Sequence, residues 1–137
     1  MSLETKEIAS NTSDARADIR ERIIDFAKTK LGATYVWGAT GPNVFDCSGF
    51  VRYVFANYGV YLPRTADAQY EVGRHVSSLQ PGDLVFFSTD GYGVSHSGIY
   101  IGNNEFISAT SSSGVRVDSL AYGYWGRCSN KHRNKKF

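Results

Sequence analysis

The chain has 137 residues, of which 42% are hydrophobic and 20% are charged, and its formal net charge at pH 7 is +2. This composition excludes an intrinsically disordered chain, and the length suits a single domain with one core. No apolar run approaches the roughly 18 residues that a membrane-spanning helix needs, and the first fifteen residues lack the apolar stretch of a signal peptide. We predict a flexible N-terminal segment over residues 1–15 and one domain over residues 16–137.

Apolar residues at helical spacing predict three helices in the first half of the chain. The first covers about residues 14–31 and ends at a glycine, and the third is short and lies between Thr65 and Gly73. Residues 32–45 follow the first helix, are rich in glycine and aromatic residues, and predict a loop. The second helix begins where this loop ends.

The second helix carries a cysteine at its start. An apolar stripe with helical spacing follows Cys47 and stops at Gly59, and Asp46 is the predicted N-cap. A lone cysteine is more often an inert buried thiol. However, Ser48 and Gly49 are poor mid-helix residues whose small side chains leave first-turn N–H groups open to a substrate carbonyl. Because a helix N-terminus and a nearby imidazole both stabilise a thiolate, Cys47 is the candidate nucleophile.

Strand-like runs fill the second half of the chain, at residues 84–87, 97–101, 105–109 and 115–117. Helices followed by strands predict an α+β fold in which the helices pack against one face of an antiparallel sheet. Glycine and asparagine at residues 102–104 predict a tight hairpin turn. With that turn, Ile99 lies opposite Ser108, and His96 lies opposite Ser111.

His96 is the candidate base. A lone histidine is more often structural, but here flanking serines and Gly98 leave space around the imidazole, and a strand gives it a rigid mount facing Cys47. His75 and His132 lack such a setting, and we interpret them as structural or solvent-exposed.

Basic residues crowd the C-terminus: Arg127, Lys131, Arg133, Lys135 and Lys136. Such a run would suit an anionic polymer, but a solvated, frayed end is the commoner explanation, and we expect no nucleic-acid partner.

Two cysteines are too few for a disulfide framework, so Cys128 is interpreted as a bystander. The sequence supplies no cluster of metal ligands, and we predict neither a metal nor another cofactor.

Five motifs, in this order, resemble those of the NlpC-type (NlpC and p60) cell-wall cysteine peptidases. They are Tyr35-Val36-Trp37-Gly38, Asp46-Cys47-Ser48-Gly49-Phe50-Val51, Leu62-Pro63-Arg64-Thr65, Pro81-Gly82-Asp83-Leu84-Val85-Phe86-Phe87 and His96-Ser97-Gly98-Ile99-Tyr100-Ile101-Gly102. The resemblance covers about residues 18–126.

This resemblance implies a circularly permuted papain-like fold and hydrolysis of peptidoglycan stem peptides between D-γ-glutamate and a diamino acid. It also implies an extracytoplasmic location (secreted, periplasmic or cell-surface), with the export signal not present in this chain. The oligomeric state is left open.

The same resemblance implies roles for individual residues. It assigns Cys47 as nucleophile and His96 as base, and it places the Tyr35 hydroxyl where, with the Cys47 N–H, it helps to hold the oxyanion. The implied substrate-binding residues are Asp46, Ser48, Ser95, Arg64 and Trp37. For Arg64, a structural ion pair is an equally weighted alternative.

One position departs from the family pattern. The third polar residue, which orients the histidine, is usually His, Asn or Gln and lies twelve positions after it, where this chain has Ser108. A serine hydroxyl can accept a hydrogen bond from an imidazole, but it is short and could need a bridging water. Ser108 is therefore the third candidate catalytic residue, and Ser111 is the alternative.

Three functions are compatible with these residues. The first is a peptidoglycan endopeptidase that acts through a covalent thioester without a metal. The second is an amidase or acyltransferase on the same scaffold, because Cys/His chemistry does not fix the acyl donor. The third is a wall-binding or regulatory module whose site has decayed at Ser108, although the presence of Cys47, His96 and Tyr35 argues against it.

Overall fold

The computed structural model describes residues 17–89, 93–127 and 133–136. The predictions for residues 1–15 and for Cys128 therefore lie outside the described residues. The described part has the predicted α+β composition, with helices first and an antiparallel sheet after them. None of the helices in these ranges combines the length and the apolar character that crossing a bilayer demands.

The described residues form four helices and eight strands. The helices are α1 (residues 17–28 in its described part), α2 (Cys47–Ala56), α3 (Ala66–Val72) and α4 (Gly123–Arg127). The strands are β1 (Thr34–Tyr35), β2 (Val44–Phe45), β3 (Arg74–His75), β4 (Leu84–Phe87), β5 (His96–Gly102), β6 (Glu105–Thr110), β7 (Gly114–Ser119) and β8 (Arg133–Lys136). Helices α1 to α3 and strands β4 to β7 are the elements predicted from periodicity. Strands β1, β2, β3 and β8 and helix α4 were not predicted.

The strands form two sheets. In the larger one the order is β3-β8-β4-β5-β6-β7, and all of its pairings are antiparallel. Strands β1 and β2 form a separate parallel pair within the predicted loop. Helix α2 packs against β5 and β6, so the start of this helix is positioned by the middle of the large sheet.

Strand β4 explains how the core is arranged. Leu84 and Phe86 are buried in a cluster with α1 and α2, whereas Val85 and Phe87 are buried in a second cluster that contains Trp125 of α4. Both faces of β4 are therefore covered, which is why its sequence is a continuous apolar run without alternation. Below, these are called the α2 face and the Trp125 face of the sheet.

The hairpin between β5 and β6 turns at the predicted place but has a different register. Asn103–Asn104 has positive φ at both residues, 54° and 58°, as a tight hairpin turn requires. Ile99 pairs with Ile107 and not with Ser108, so the predicted register is wrong by one residue. The reason is a bulge at residues 100–102, which adds one residue on the β5 side.

The end of the chain also differs from the prediction. Residues Arg133–Lys136 form β8, which pairs with β4 on one side and β3 on the other. The Lys135 ammonium lies 4.2 Å from the centroid of the Tyr70 ring, a cation–π contact. The expected frayed end is therefore wrong for these four residues, because backbone pairing with a buried strand orders them. His75 of β3 is exposed, as expected, and His132 lies outside the described residues.

Gly49 allows the loop before α2 to approach the first turn of the helix. A Cβ at this position would lie 2.1 Å from the Ala39 carbonyl oxygen and 2.8 Å from Asp46 Oδ1. The Asp46 N–H donates to that same carbonyl at 2.9 Å, so backbone and not a flexible side chain would have to move.

We expect Gly49→Ala to lower the free energy of unfolding by more than about 3 kcal/mol, because overpacking against backbone cannot relax by rotation. The matched control is Gly59→Ala, where nothing lies within 4 Å of the added methyl and the positive φ alone costs about 1 to 2 kcal/mol. Urea unfolding of both variants checks this. Equal losses would mean that the close approach at Gly49 does not limit the fold.

Candidate active site

Cys47 is the first residue of α2, and its sulfur lies beside the N-terminal end of β5. The Asp46 side chain caps the helix, as predicted, by accepting a hydrogen bond from the Gly49 N–H at 2.7 Å. The Cys47 thiol donates to the Ser95 carbonyl oxygen at 3.8 Å. Burial raises the pKa of the thiol above its ordinary value, although hydrogen bonds from nearby backbone N–H groups, Ser97 first, oppose the increase. The direction of this shift favours the neutral thiol, whereas the helix terminus predicted a stabilised thiolate.

His96 is buried beneath an aromatic ring that the sequence analysis did not identify. The Trp125 indole stacks on the imidazole with centroids 4.3 Å apart and planes 22° apart, and the Phe87 ring lies 6.0 Å away. Burial lowers the pKa of His96 to about 3. The imidazole is therefore neutral at physiological pH and able to accept a proton.

Cys47 and His96 line one cavity, which Tyr35 also lines. Helix α2 packs on the α2 face of the sheet, whereas His96 shares the Trp125 face. Both residues reach this cavity at the N-terminal end of β5, where the Cys47 sulfur lies beside the Ser95 carbonyl oxygen. No hydrogen bond joins the sulfur to the imidazole in the described part of the chain. Catalytic hydrogen bonds are often long before substrate binds. A neutral thiol beside a neutral imidazole is a pair in which the imidazole takes the proton as the sulfur attacks.

Ser108 lies on the same sheet face as His96 but does not hydrogen-bond to it. The observed register places Ser108 opposite Gly98, two residues along β5 from His96. A Cβ on Gly98 would lie 3.1 Å from the Ser108 Cβ, so the glycine is what lets Ser108 approach. His96 Nε2 and Ser108 Oγ are both buried and have no partner among the described residues.

Ser111, the alternative orienting residue, is exposed and does not lie opposite His96. Extending the register by three pairs places Thr110 there. The Thr110 hydroxyl is already committed, because it donates to the Gly114 carbonyl oxygen at 2.9 Å. The ring contacts of the imidazole among the described residues are those with Trp125 and Phe87, of which the Trp125 stack is the closer.

Two cavities meet at Cys47. The His96 cavity, of about 650 Å³, is lined by His96, Trp125 and Arg116 among others. The Arg64 cavity, of about 540 Å³, includes Arg64 in its lining but not His96. Tyr35, Cys47 and Ser95 line both. The candidate nucleophile is thus open to a cavity on each of two sides. A peptide substrate needs this arrangement, because it has one group on either side of the bond that is cut.

Arg64 forms the ion pair that the sequence analysis gave as its alternative role, and it lines a cavity as well. Its Nη2 lies 2.7 Å from Asp46 Oδ2, and its Nη1 lies 3.1 Å from Asp46 Oδ1 and 3.0 Å from Ser48 Oγ. Burial opposes ionisation of Asp46, but the hydrogen bonds from Arg64 and from the Gly49 N–H lower the pKa of the carboxyl. Asp46 is thus fully engaged by the protein itself.

The remaining predicted residues lie around the same opening. Tyr35 is half-buried on β1, and burial raises the pKa of its phenol, with the nearby Cys47 adding to the effect. The phenol therefore keeps its proton and can donate a hydrogen bond. Trp37 is 86% exposed and contributes to the Arg64 cavity. The Ser95 hydroxyl lies 2.6 Å from the Thr89 hydroxyl and accepts from the Thr89 N–H.

Two supporting residues were missed by sequence analysis. Gln69 of α3 is fully buried, and its amide nitrogen donates to the carbonyl oxygens of Ser48 and Pro63, which ties α3 to the first turn of α2. Trp125 carried no signal beyond its aromatic character, because its contact with His96 is distant in sequence. Over the described residues, no group of three or more His, Cys, Asp and Glu side chains could hold a metal ion.

Known proteins resemble this chain in sequence and structure. A family model described as the NlpC/P60 family matches residues 32–134. The chain is 49% identical over 107 residues to a probable endopeptidase p60 of Listeria innocua, a match that covers 77% of this chain and 22% of that protein. It is 38% identical over 145 residues to the murein DD-endopeptidase MepS/murein LD-carboxypeptidase of Escherichia coli K12, covering 95% of this chain and 77% of that protein.

A solved structure gives the same result at the level of the fold. The NlpC/p60 domain of the peptidoglycan hydrolase SagA matches with a TM-score of 0.73 at 30% identity, covering 86% of this chain and 98% of that one. This similarity confirms the predicted papain-like fold. The chain spans about a fifth of the length of the Listeria relative.

Trp125 covers the His96 imidazole, so its removal should change the pH dependence of catalysis. In Trp125→Ala the imidazole becomes solvated, and its pKa should rise from about 3 toward the ordinary 6.5. The base is lost when it is protonated, so the acid limb of kcat/KM should move to higher pH. Trp125→Phe, which keeps a stacked ring, should shift it less.

The control for that experiment is Tyr122→Ala, because Tyr122 is 81% exposed in the same segment. Structural damage alone would lower kcat/KM at every pH without moving the limb. An unmoved acid limb in Trp125→Ala would contradict the assigned effect of the stack.

Ser108 should have a modest effect. If it orients His96 through a bridging water, Ser108→Ala should lower kcat by about tenfold, because a hydroxyl contact is worth roughly 1 kcal/mol. Ser108→His should restore or raise activity, since a longer side chain can reach Nε2 directly and fix the tautomer. Ser113→Ala, at an exposed hydroxyl, is the control. A silent Ser108→Ala together with a harmful Ser108→His would leave orientation to Trp125.

Proposed function

This chain belongs to the NlpC/P60 family of cysteine peptidases, and we propose that it is a peptidoglycan endopeptidase that cuts stem peptides between D-γ-glutamate and a diamino acid. The observation that carries the proposal is that Cys47 and His96 line the same cavity and that Cys47 also lines a second one. The relatives named as a probable endopeptidase p60 and as a murein DD-endopeptidase/murein LD-carboxypeptidase support a peptidoglycan substrate.

Acylation begins with a neutral pair. The Cys47 sulfur attacks the scissile carbonyl carbon while its proton passes to His96, so that a carbon–sulfur bond forms and the carbonyl oxygen becomes an oxyanion. The Cys47 N–H, at the open first turn of α2, and the Tyr35 hydroxyl donate hydrogen bonds to that oxyanion. Tyr35 suits this role because burial keeps its proton in place.

His96 then acts as an acid. With a pKa of about 3, its imidazolium is a strong proton donor, and it protonates the leaving amine as the carbon–nitrogen bond breaks. A thioester on Cys47 remains. Water, deprotonated by the now neutral His96, attacks the thioester and releases the acid product and the free thiol.

The place of His96 also orients the substrate. Because the imidazolium must reach the leaving amine, the diamino acid lies in the His96 cavity, and the acyl group lies in the Arg64 cavity. A glutamate linked through its γ-carboxyl retains a free α-carboxylate beside the scissile bond. Arg64 is the cationic side chain of that cavity. Its Nε and one Nη2 hydrogen have no acceptor among the described hydrogen bonds. These N–H groups can bind the free α-carboxylate, which supports a γ-linked glutamate as the acyl group.

The proposal places the protein outside the cytoplasm, where its peptidoglycan substrate lies. An amidase or acyltransferase on the same scaffold would use the same Cys47 and His96 chemistry, and a decayed wall-binding module would use none of it. Digestion of purified muropeptides, with products identified by mass spectrometry, separates these functions. Endopeptidase action leaves a dipeptide ending in D-glutamate on the glycan, amidase action frees the whole stem, and cleavage of the cross-link gives the DD-endopeptidase products.

Cys47→Ala should lower hydrolysis at least about a thousandfold, because the nucleophile is lost, and should leave the thermal unfolding midpoint nearly unchanged, since alanine is tolerated in a first helical turn. His96→Ala should be comparably severe. A thiol-reactive probe should label Cys47 in the wild type and confirm its loss in the variant. Hydrolysis that persists in Cys47→Ala would exclude the thiol mechanism.

A further inference from the structure

Arg116 lines the His96 cavity but takes no part in the steps described above. It lies on β7 opposite Ser108 of β6, so it shares the sheet face that carries His96, two strands away. Since neighbouring strands lie about 4.8 Å apart, roughly 10 Å separates the strands that carry the two residues. With the substrate oriented as proposed above, Arg116 lies on the side of the leaving group.

One aspartate holds the guanidinium. Arg116 Nε lies 3.2 Å from Asp118 Oδ1, and the two residues are two apart on β7 and therefore on one face. Burial raises the pKa of the Asp118 carboxyl, and Arg116 and the nearby Trp125 oppose the increase. Asp118 Oδ2 is buried and has no hydrogen-bond partner among the described residues. The Arg116 side chain is 48% exposed, and its two Nη groups have no partner among the described contacts.

The other polar groups of the cavity do not compete for an anion. His96 is neutral, and Asp118 Oδ1 is paired with Arg116 itself. The remaining polar wall carries the Cys47 thiol and hydroxyl groups, those of Tyr35, Thr89, Ser95, Thr110, Ser111, Ser112 and Tyr124. Among the described residues that line the cavity, Arg116 is thus the only fixed cation. A guanidinium anchored at Nε with its Nη groups open offers parallel N–H donors, which match the two oxygens of a carboxylate.

We propose that Arg116 binds a carboxylate of the leaving diamino acid and thereby selects substrates that present one. The inference rests on the proposed function, which puts the leaving group in this cavity. Two different carboxylates of the diamino acid could bind to Arg116 in this way. One is the second carboxyl at the far end of a diaminopimelate-type side chain, which lysine lacks, and the other is the main-chain carboxyl of a diamino acid that ends the stem peptide.

Two pairs of synthetic peptides distinguish these carboxylates. The first pair is L-Ala-γ-D-Glu-diaminopimelate with the far carboxyl free or amidated. The second pair is the same tripeptide with its main-chain carboxyl free or extended by D-alanine amide. In one of the two pairs, the wild type should prefer the free carboxylate by about tenfold in kcat/KM, as expected for a charge-assisted hydrogen bond at a half-exposed site.

The preference should disappear in Arg116→Gln and persist in part in Arg116→Lys, which keeps the charge but loses the fork. Arg22→Gln is the matched control, because Arg22 is an exposed arginine paired with Asp18 on α1 and lines neither cavity; both preferences should survive it. A wild type without preference in either pair, or a preference that survives unchanged in Arg116→Gln, would overturn the proposal.

Binding separates this inference from the proposed function. The same four peptides are titrated into Cys47→Ala, with and without Arg116→Gln, and Kd is followed by NMR chemical shifts. If the wild type cuts none of the peptides, the proposed bond is wrong. A carboxylate preference in Kd that depends on Arg116 would still support the inference, and equal Kd values would overturn it.

Discussion

The position of the candidate nucleophile depends on the carboxylate of Asp46. One of its oxygens accepts from the Gly49 N–H and from Arg64, and the other accepts from the Gly38 N–H at 3.0 Å and again from Arg64. This single group therefore joins the start of α2, the loop before it and the segment that leads into α3. Burying a charge is costly, and here every lone pair has a donor in return. Removing the carboxylate would leave a partly buried guanidinium without its counter-charge and the N–H groups of Gly38 and Gly49 without their acceptor.

Next to this charged network, burial favours the neutral forms of Cys47 and His96. Burial acts on both partners in the direction that disfavours charge, raising the pKa of the thiol and lowering that of His96. An ion pair at rest would make a permanently nucleophilic sulfur, whereas a neutral pair becomes reactive only as its proton is transferred. The aromatic cover of Trp125 and Phe87 supplies this environment. The domain thus separates the charge that positions the sulfur from the low polarity that sets its proton chemistry.

Local signals in the sequence were sufficient for much of this arrangement. The cap at Asp46, the place of Cys47 in a first turn, the hairpin at Asn103–Asn104 and the strands β4 to β7 each follow from neighbouring residues and were predicted. The parts that were missed depend on distant ones. A single bulge at residues 100–102 shifted the register and so exchanged Ser111 for Thr110 opposite His96. Strand β8 forms because it can pair with β4. The stack of Trp125 on His96 joins α4 to β5, two elements that β6 and β7 separate in the sequence. No periodicity encodes such contacts, because their partners are chosen by the sheet order.

The insertion of β8 between β3 and β4 has a consequence for proteolysis. In the described sheet β3 pairs with β8 alone, so trimming residues 133–136 would detach two strands and not one. The flank of β4 would then be open, and its Leu-Val-Phe-Phe run, apolar on both faces, would present unpaired backbone groups to other chains. Such a flank is a template for strand addition between molecules. Residues 133–136 therefore protect the flank of β4 from pairing with another copy of the chain.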